Sequence, residues 1–99
     1  MRIEILDLAV EDLAEGFRFY EEREPGLGEY FLSTLVSDIE SLAIFGGMHR
    51  QVYRDFHRLL SKRFPFAVYY TVEGEVVKIR AIVDCRRDPL WIREHLGGA

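Results

Sequence analysis

Residues 66–83 read Phe66-Ala67-Val68-Tyr69-Tyr70-Thr71-Val72-Glu73-Gly74-Glu75-Val76-Val77-Lys78-Ile79-Arg80-Ala81-Ile82-Val83. β-Branched and aromatic side chains dominate the stretch, and such residues suit a pleated, half-buried surface. The short polar Glu73-Gly74-Glu75 between two apolar runs predicts a hairpin turn. Two antiparallel strands follow, Phe66 to Val72 and Val76 to Val83. In the second, strict alternation sets Val77, Ile79, Ala81 and Val83 on one face and Lys78 and Arg80, with Val76 and Ile82, on the other. One face is then core and the other partly basic.

Towards the N-terminus the aromatic character extends to Tyr53 and Phe56, and a further strand is expected around His57 to Lys62. Its register is open, because either Leu59 or Leu60 can point inward and the choice reverses which basic side chains are presented. Upstream of Gly46-Gly47 the period changes. Leu27, Phe31, Leu35, Ile39 and Leu42 step by four, four, four and three, predicting one helix ended by the diglycine. Pro25-Gly26 separates it from an earlier helix, and so short a connection sets the two antiparallel. In that first helix Asp7 offers an N-cap oxygen, and Glu11 and Asp12 lie in the early turns where the helix dipole favours acids. Val10, Leu13, Ala14, Phe17 and Tyr20 share a face, to about Glu22. Glu15, Glu21, Glu22, Glu24, Glu29, Asp38 and Glu40 are expected on exposed faces. Ahead of it, Ile3 and Ile5 alternate with Arg2 and Glu4 as a first strand. At the other end Asp88 caps a short helix with Pro89 at its first position and Gly97-Gly98 as its stop, pinned by Trp91 and Ile92. The fold class is α+β: an N-terminal strand and a two-helix hairpin packed on an antiparallel sheet, with a short C-terminal helix.

A chain of 99 residues fits one domain, residues 1–99. Hydrophobic residues at 48% and charged residues at 30% exclude a disordered tail. No apolar run approaches ~18 residues, and the N-terminal segment carries acids where a signal peptide would be apolar. The expectation is a cytoplasmic protein with no membrane partner. The single Cys85 cannot form an internal disulfide, suits a reducing compartment, and reads as a small buried hydrophobe. His49, His57 and His95 stand far apart in sequence with no metal-ligand spacing, so neither metal nor cofactor is expected. Phosphate-binding glycine loops, Gly-x-Ser-x-Gly elbows and His-Glu-x-x-His motifs are absent, which excludes the common nucleotide and hydrolase signatures.

Charge is unevenly placed. Residues 1–49 hold three basic and eleven acidic side chains, a net −8, whereas residues 50–99 hold ten basic and six acidic, a net +4. Among these, Arg54, Arg58, Lys62, Arg63, Lys78, Arg80, Arg86 and Arg87 form a spaced basic set. Guanidinium groups bind phosphate oxygens bidentately and stay charged at any working pH, so such a set either stabilises a phosphate or covers a solvated sheet face. In Asp84-Cys85-Arg86-Arg87-Asp88-Pro89 the two arginines either bridge the flanking acids or present a guanidinium to a partner.

The order Glu11-Asp12-Leu13, Phe19-Tyr20, Pro25-Gly26-Leu27-Gly28, Phe31, Lys62-Arg63-Phe64-Pro65-Phe66 leading into Val68-Tyr69-Tyr70, and Arg86-Arg87-Asp88-Pro89 resembles the RelE/ParE superfamily of type II toxins, nearest the ParE-like, plasmid-stabilisation branch. The resemblance covers almost the whole chain and implies a helical hairpin on an antiparallel sheet. It also implies a toxin neutralised by a cognate antitoxin whose segment wraps across the sheet and helices, with promoter DNA bound only through the antitoxin. One branch of the superfamily cleaves messenger RNA on the ribosome; the other is associated with inhibition of DNA gyrase. For the first branch, Arg58, Lys62 and Arg86 would stand for the catalytic basic residues. Two departures weigh against it. Ala67 stands where that branch tends to place an arginine, and Ile92, beside Trp91, stands where it places a tyrosine. Neither an indole nor an alkyl group transfers a proton, and losing such a group costs ~100-fold to 10,000-fold in rate. Tyr69 and Tyr70 are the possible substitutes, although strand tyrosines more commonly pack. The expectation is therefore a ParE-like toxin that inhibits growth by binding a protein such as DNA gyrase. The alternatives are a ribosome-dependent endonuclease and a non-toxic antitoxin-binding remnant. Arg63, Lys78, Arg80, Arg87 and Trp91 are the partner-binding candidates.

Overall fold

The computed structural model describes residues 1–99. Its elements are β1 (Arg2–Ile5), α1 (Asp7–Arg23), α2 (Leu27–Glu40), α3 (Leu42–Phe45), β2 (Gln51–Tyr53), β3 (Phe56–Leu60), β4 (Phe66–Glu73), β5 (Val76–Asp84) and α4 (Pro89–Gly97). One sheet runs in the order β1-β5-β4-β3-β2. β1 pairs parallel with β5 and every other pair is antiparallel, so the N-terminal strand closes the sheet beside the long hairpin. The α+β architecture expected from the sequence is the one observed.

The main core lies between the helical hairpin and one sheet face. Leu13 and Tyr20 of α1 and Phe31, Leu35 and Ile39 of α2 pack on Phe66, Val68 and Tyr70 of β4 and on Val77, Ile79 and Ile82 of β5. A smaller core on the opposite face joins Phe56, Ala67, Tyr69, Ala81 and Val83 to Leu96 of α4, with Trp91 and Ile92 against it. Asp88 accepts the Leu90 N–H at 2.8 Å with Pro89 in the first turn, the cap the sequence predicts.

Strict alternation in β5 fails at one point. Tyr69 pairs with Ala81 but Tyr70 pairs with Ile79, leaving Arg80 as an extra residue in a β-bulge. Val77, Ile79 and Ile82 therefore face the helices, while Ala81 and Val83 turn to α4.

The inward face of α1 is also rotated from the expected one. Ala9, Asp12, Leu13, Gly16 and Tyr20 are buried, whereas Val10 is 51% exposed. Close helix approach at two glycines explains it. A Cβ at Gly16 would stand 2.5 Å from Cζ of Phe31, and one at Gly28 would stand 2.7 Å from the Phe17 carbonyl oxygen, so only glycine lets α1 and α2 meet in this orientation. At the turn between them the Glu21 carboxylate accepts N–H groups from Gly26 (3.0 and 3.1 Å) and Gly28 (2.9 Å), satisfying donors at the start of α2.

Further details differ from expectation. Leu6, not Asp7, occupies the N-cap of α1 and gives no side-chain bond, so Asp7 sits inside the first turn and acts only through the helix dipole. The second helix is interrupted at Ser41, whose hydroxyl donates to the Asp38 carbonyl at 2.6 Å before α3 resumes. Asp38 is buried rather than exposed, because it shares the inward side of α2 with Ile39. β2 was not foreseen; its short, largely exposed run carries little apolar alternation. Leu59 is the inward residue of β3, which sends Arg58 and Leu60 to the α4 side. Cys85 is exposed, in the turn after β5.

Candidate functional site

The α4 side of the sheet gathers basic residues around apolar ones. Arg58 of β3 lies opposite Tyr69, and with Arg87 and Arg93 it lines a cleft of about 240 Å³ that also includes Tyr53, Tyr69, Ile92 and Leu96. Cys85 lines the same cleft; burial pushes its thiol pKa up, opposed by the nearby Arg58.

The other candidates reach different places. Lys62 and Arg63 line a polar cleft against α2 with Ser33, Thr34, Ser37 and Asp38. Arg86 is held by Asp84, Nε to Oδ1 at 2.9 Å and Nη2 to Oδ2 at 2.7 Å, and the Arg86 N–H adds a bond to Oδ1 at 2.9 Å. That contact holds the Asp84 pKa below the usual carboxylate range and raises that of Arg86. Arg58, Lys62 and Arg86, the three residues a phosphate clamp would need together, thus line no common cleft. Lys78 and Arg80 are both occupied by Glu73, at 3.4 and 2.7 Å, and lower its pKa, Lys78 first. Arg80 Nε also donates to Thr71 Oγ1 at 3.0 Å. The Arg87 guanidinium lies 4.0 Å over the Trp91 ring, a cation–π contact. Ala67 is fully buried in the smaller core and Ile92 is half-buried beside it.

Two clusters were not foreseen. β1 pairs only with residues 76–79 of β5, so the following edge of β5 has no strand beside it. There the Asp12 carboxylate accepts the Ile82 N–H at 2.9 Å and meets His95 Nε2 at 2.9 and 3.0 Å. Burial raises the Asp12 pKa, opposed by the bonds from His95 and Ile82. The His95 ring stacks on Trp91 at 4.7 Å between centroids. An open cleft of about 390 Å³ adjoins this edge, with Phe19, Phe66 and Trp91 among its walls.

The second cluster surrounds Tyr70, whose side chain is fully buried. Its oxygen accepts the Gly47 N–H at 3.2 Å and lies 2.7 Å from His49 Nδ1. His57 Nδ1 donates to the His49 carbonyl at 2.7 Å, and its ring stacks on Tyr70 at 5.0 Å. His49 and His57, separate in sequence, are neighbours here, and burial together with His57 lowers the His49 pKa. Neither cluster shows a local spacing by which the sequence could have revealed it. Tyr69 and Tyr70 both serve packing, in the smaller and the main core respectively.

On the outer side of the hairpin, the rotation of α1 leaves Val10, Ala14 and Phe17 beside Leu32 in an open apolar cleft of about 500 Å³. No three His, Cys, Asp or Glu side chains are grouped to hold a metal ion, and no helix is long and apolar enough to cross a membrane.

The fold has a solved counterpart. A chain of the structure described as "Chromosomal ParDE TA system from P. aeruginosa" superposes with a TM-score of 0.79 at 18% identity, covering 85% of this chain and 95% of that one. At that identity the likeness is one of fold, and it is the fold that the sequence resemblance implied. No family model matches the sequence, and no curated protein matches it.

Proposed function

We propose that this chain is the ParE-like toxin of a type II toxin–antitoxin pair, neutralised by a cognate antitoxin and inhibiting growth by binding a protein target such as DNA gyrase. The observation that carries the reading is the shared fold with a chain of a ParDE system over nearly all of that chain. The dispersal of Arg58, Lys62 and Arg86 supports binding over messenger cleavage, because electrostatic catalysis needs its donors aimed at one oxyanion. The antitoxin segment that fits has two chemistries. Over the α4 side, apolar and acidic residues alternate to meet Tyr53 and Ile92 and the arginines at 58, 87 and 93. Over the hairpin, an apolar stripe meets Val10, Phe17 and Leu32.

Induced expression of the chain alone in bacteria tests this, with growth, plasmid supercoiling and messenger integrity followed in one culture. Arrested growth with altered supercoiling and intact messages is expected, and co-expression of the neighbouring antitoxin restores growth. Cleaved messages would replace the binding mechanism with a ribosome-dependent endonuclease. Normal growth at verified soluble levels would sink the toxin assignment and leave, if the antitoxin still binds, a non-toxic remnant.

A further inference from the structure

The outer edge of β5 is covered along most of its length, and one gap is left. β1 runs parallel to β5, and its ladder ends where the Leu6 N–H donates to the Ile79 carbonyl at 3.0 Å. After the bulge at Arg80, alternation turns the backbone groups of Ala81, Val83 and Cys85 towards β4, where the Cys85 N–H meets the Pro65 carbonyl at 2.8 Å. Those of Ile82 and Asp84 then point to the outer edge. Asp12 takes the Ile82 N–H, and the Arg87 N–H closes a turn on the Asp84 carbonyl at 3.1 Å. The Ile82 carbonyl and the Asp84 N–H have neither a strand nor a side chain as partner.

These two groups define what fills the gap. Unpaired groups on a strand edge are a template for another chain. An acceptor and a donor two residues apart are what one residue of a parallel strand bonds, giving its N–H to the first and its carbonyl to the second. A residue of an antiparallel strand instead exchanges both bonds with the residue opposite, and here Ile82 lacks a free N–H and Asp84 a free carbonyl. The Asp12 carboxylate already occupies the ladder position before the gap, so an added segment enters just beyond it.

The cleft of about 390 Å³ at this edge, which Ile82 and Asp84 help to line, sets the side chains of that segment. A residue beside Val83 points, as Val83 does, to the α4 side, where Arg87 and Trp91 stand. The next residue, beside Asp84, points to the helix side, where Gly16, Phe19 and Phe66 form an apolar wall with Glu15 next to it. Asp84 is already held by Arg86, whereas Glu15 is exposed, forms no ion pair and lies close enough to Asp12 to push that carboxyl's pKa up. A side chain with an apolar stem and a cationic head suits this wall, its stem on the two rings and its head on Glu15. We propose that this edge accepts an extended segment of a partner protein as a short parallel strand, one residue bonding Ile82 and Asp84 through its backbone and the next being a lysine or arginine directed at Glu15. The strand site is independent of the toxin reading.

The blocked peptide acetyl-Thr-Val-Lys-Val-amide tests it, titrated to about 10 mM into the full-length, isotope-labelled chain with amide chemical shifts as the readout, a range that captures millimolar binding. Saturable shifts centred on Ile82, Asp84 and the Trp91 indole are expected, and replacing the peptide's lysine by glutamate weakens binding about tenfold or more. N-methylation of the first valine removes the N–H meant for the Ile82 carbonyl and abolishes saturation. N-methylation of the lysine, whose N–H points away from β5, leaves it. Glu15→Gln, at an exposed position, removes the preference for lysine over glutamate. A spin label on the C-terminal end of the peptide broadens the Arg86 and Arg87 amides before that of Leu6, as parallel addition requires. Absence of saturable shifts, equal loss with either N-methyl group, or a label that broadens Leu6 first each overturns the proposal. Growth arrest is read separately and changes none of these outcomes.

Discussion

Asp12 Oδ1 lies 2.9 Å from Nε2 of His95, joining α1 to α4 beside the open edge of β5. The same carboxylate takes the Ile82 N–H. Removing it leaves a buried donor unpaired, so Asp12→Ala is expected to destabilise the fold by about 1–3 kcal/mol in urea unfolding. Burial is the largest influence on Asp12 and raises its pKa. A carboxyl with a raised folded-state pKa contributes stability that is fully present below its unfolded pKa and lost as pH rises through the folded one. Unfolding free energies measured upward from the ordinary carboxylate range should therefore carry a falling contribution that Asp12→Asn removes.

Gly16 lies against the Phe31 ring, and Gly16→Ala would place its Cβ 2.5 Å from Cζ. The higher helix propensity of alanine favours the variant by up to about 1 kcal/mol, but overpacking a rigid ring costs about 1–3 kcal/mol. A lowered melting temperature is expected, and Phe31→Leu in the same chain should recover part of the loss. Simple additivity of the two losses would show that the ring is not what excludes the methyl group.

Much of the fold was legible because its strongest signals are local. The β4–β5 hairpin, the steps of four along α2 and the Asp88-Pro89 cap each depend on neighbours in sequence. Other features are set by tertiary contact. The α1 face turned because glycines at 16 and 28 admit Phe31 and the Phe17 backbone, and the Arg80 bulge moved Ile82 to the helix side. Of the candidate site residues, their presence in a basic second half was visible, but their directions were not. Glu73 claims Lys78 and Arg80, Asp84 claims Arg86, and Arg58 and Lys62 line separate clefts. Asp12 with His95 is an 83-residue pairing that no local pattern encodes.

The His49 imidazole has its pKa lowered by burial, with a smaller contribution from His57. A depressed folded-state pKa means that stability is present above the unfolded imidazole pKa and lost as pH falls through the folded value. Acidification through and below the ordinary histidine range should thus loosen the contact between the Gly47 segment and Tyr70. Ring-proton NMR should show His49 titrating below a free histidine, and His57→Ala should move it part of the way back. A His49 that titrates normally in the folded chain would remove this account.

Val10 and Arg58 stand on opposite sides of the molecule, one on the exposed apolar strip of the hairpin and the other on the basic α4 side of the sheet. If the antitoxin wraps across both, Val10→Glu and Arg58→Glu should each weaken capture of the toxin by about tenfold or more while leaving unfolding midpoints nearly unchanged, since both side chains are exposed. Salt separates them. The Arg58 contribution is electrostatic and should shrink as ionic strength rises, because exposed charges are screened beyond about 8 Å at physiological salt. The Val10 contribution comes from apolar contact and should persist. Calorimetric titration of each variant at low and high salt measures both terms. An unchanged affinity for Val10→Glu would confine the antitoxin to the sheet side, and an unchanged affinity for Arg58→Glu would confine it to the hairpin.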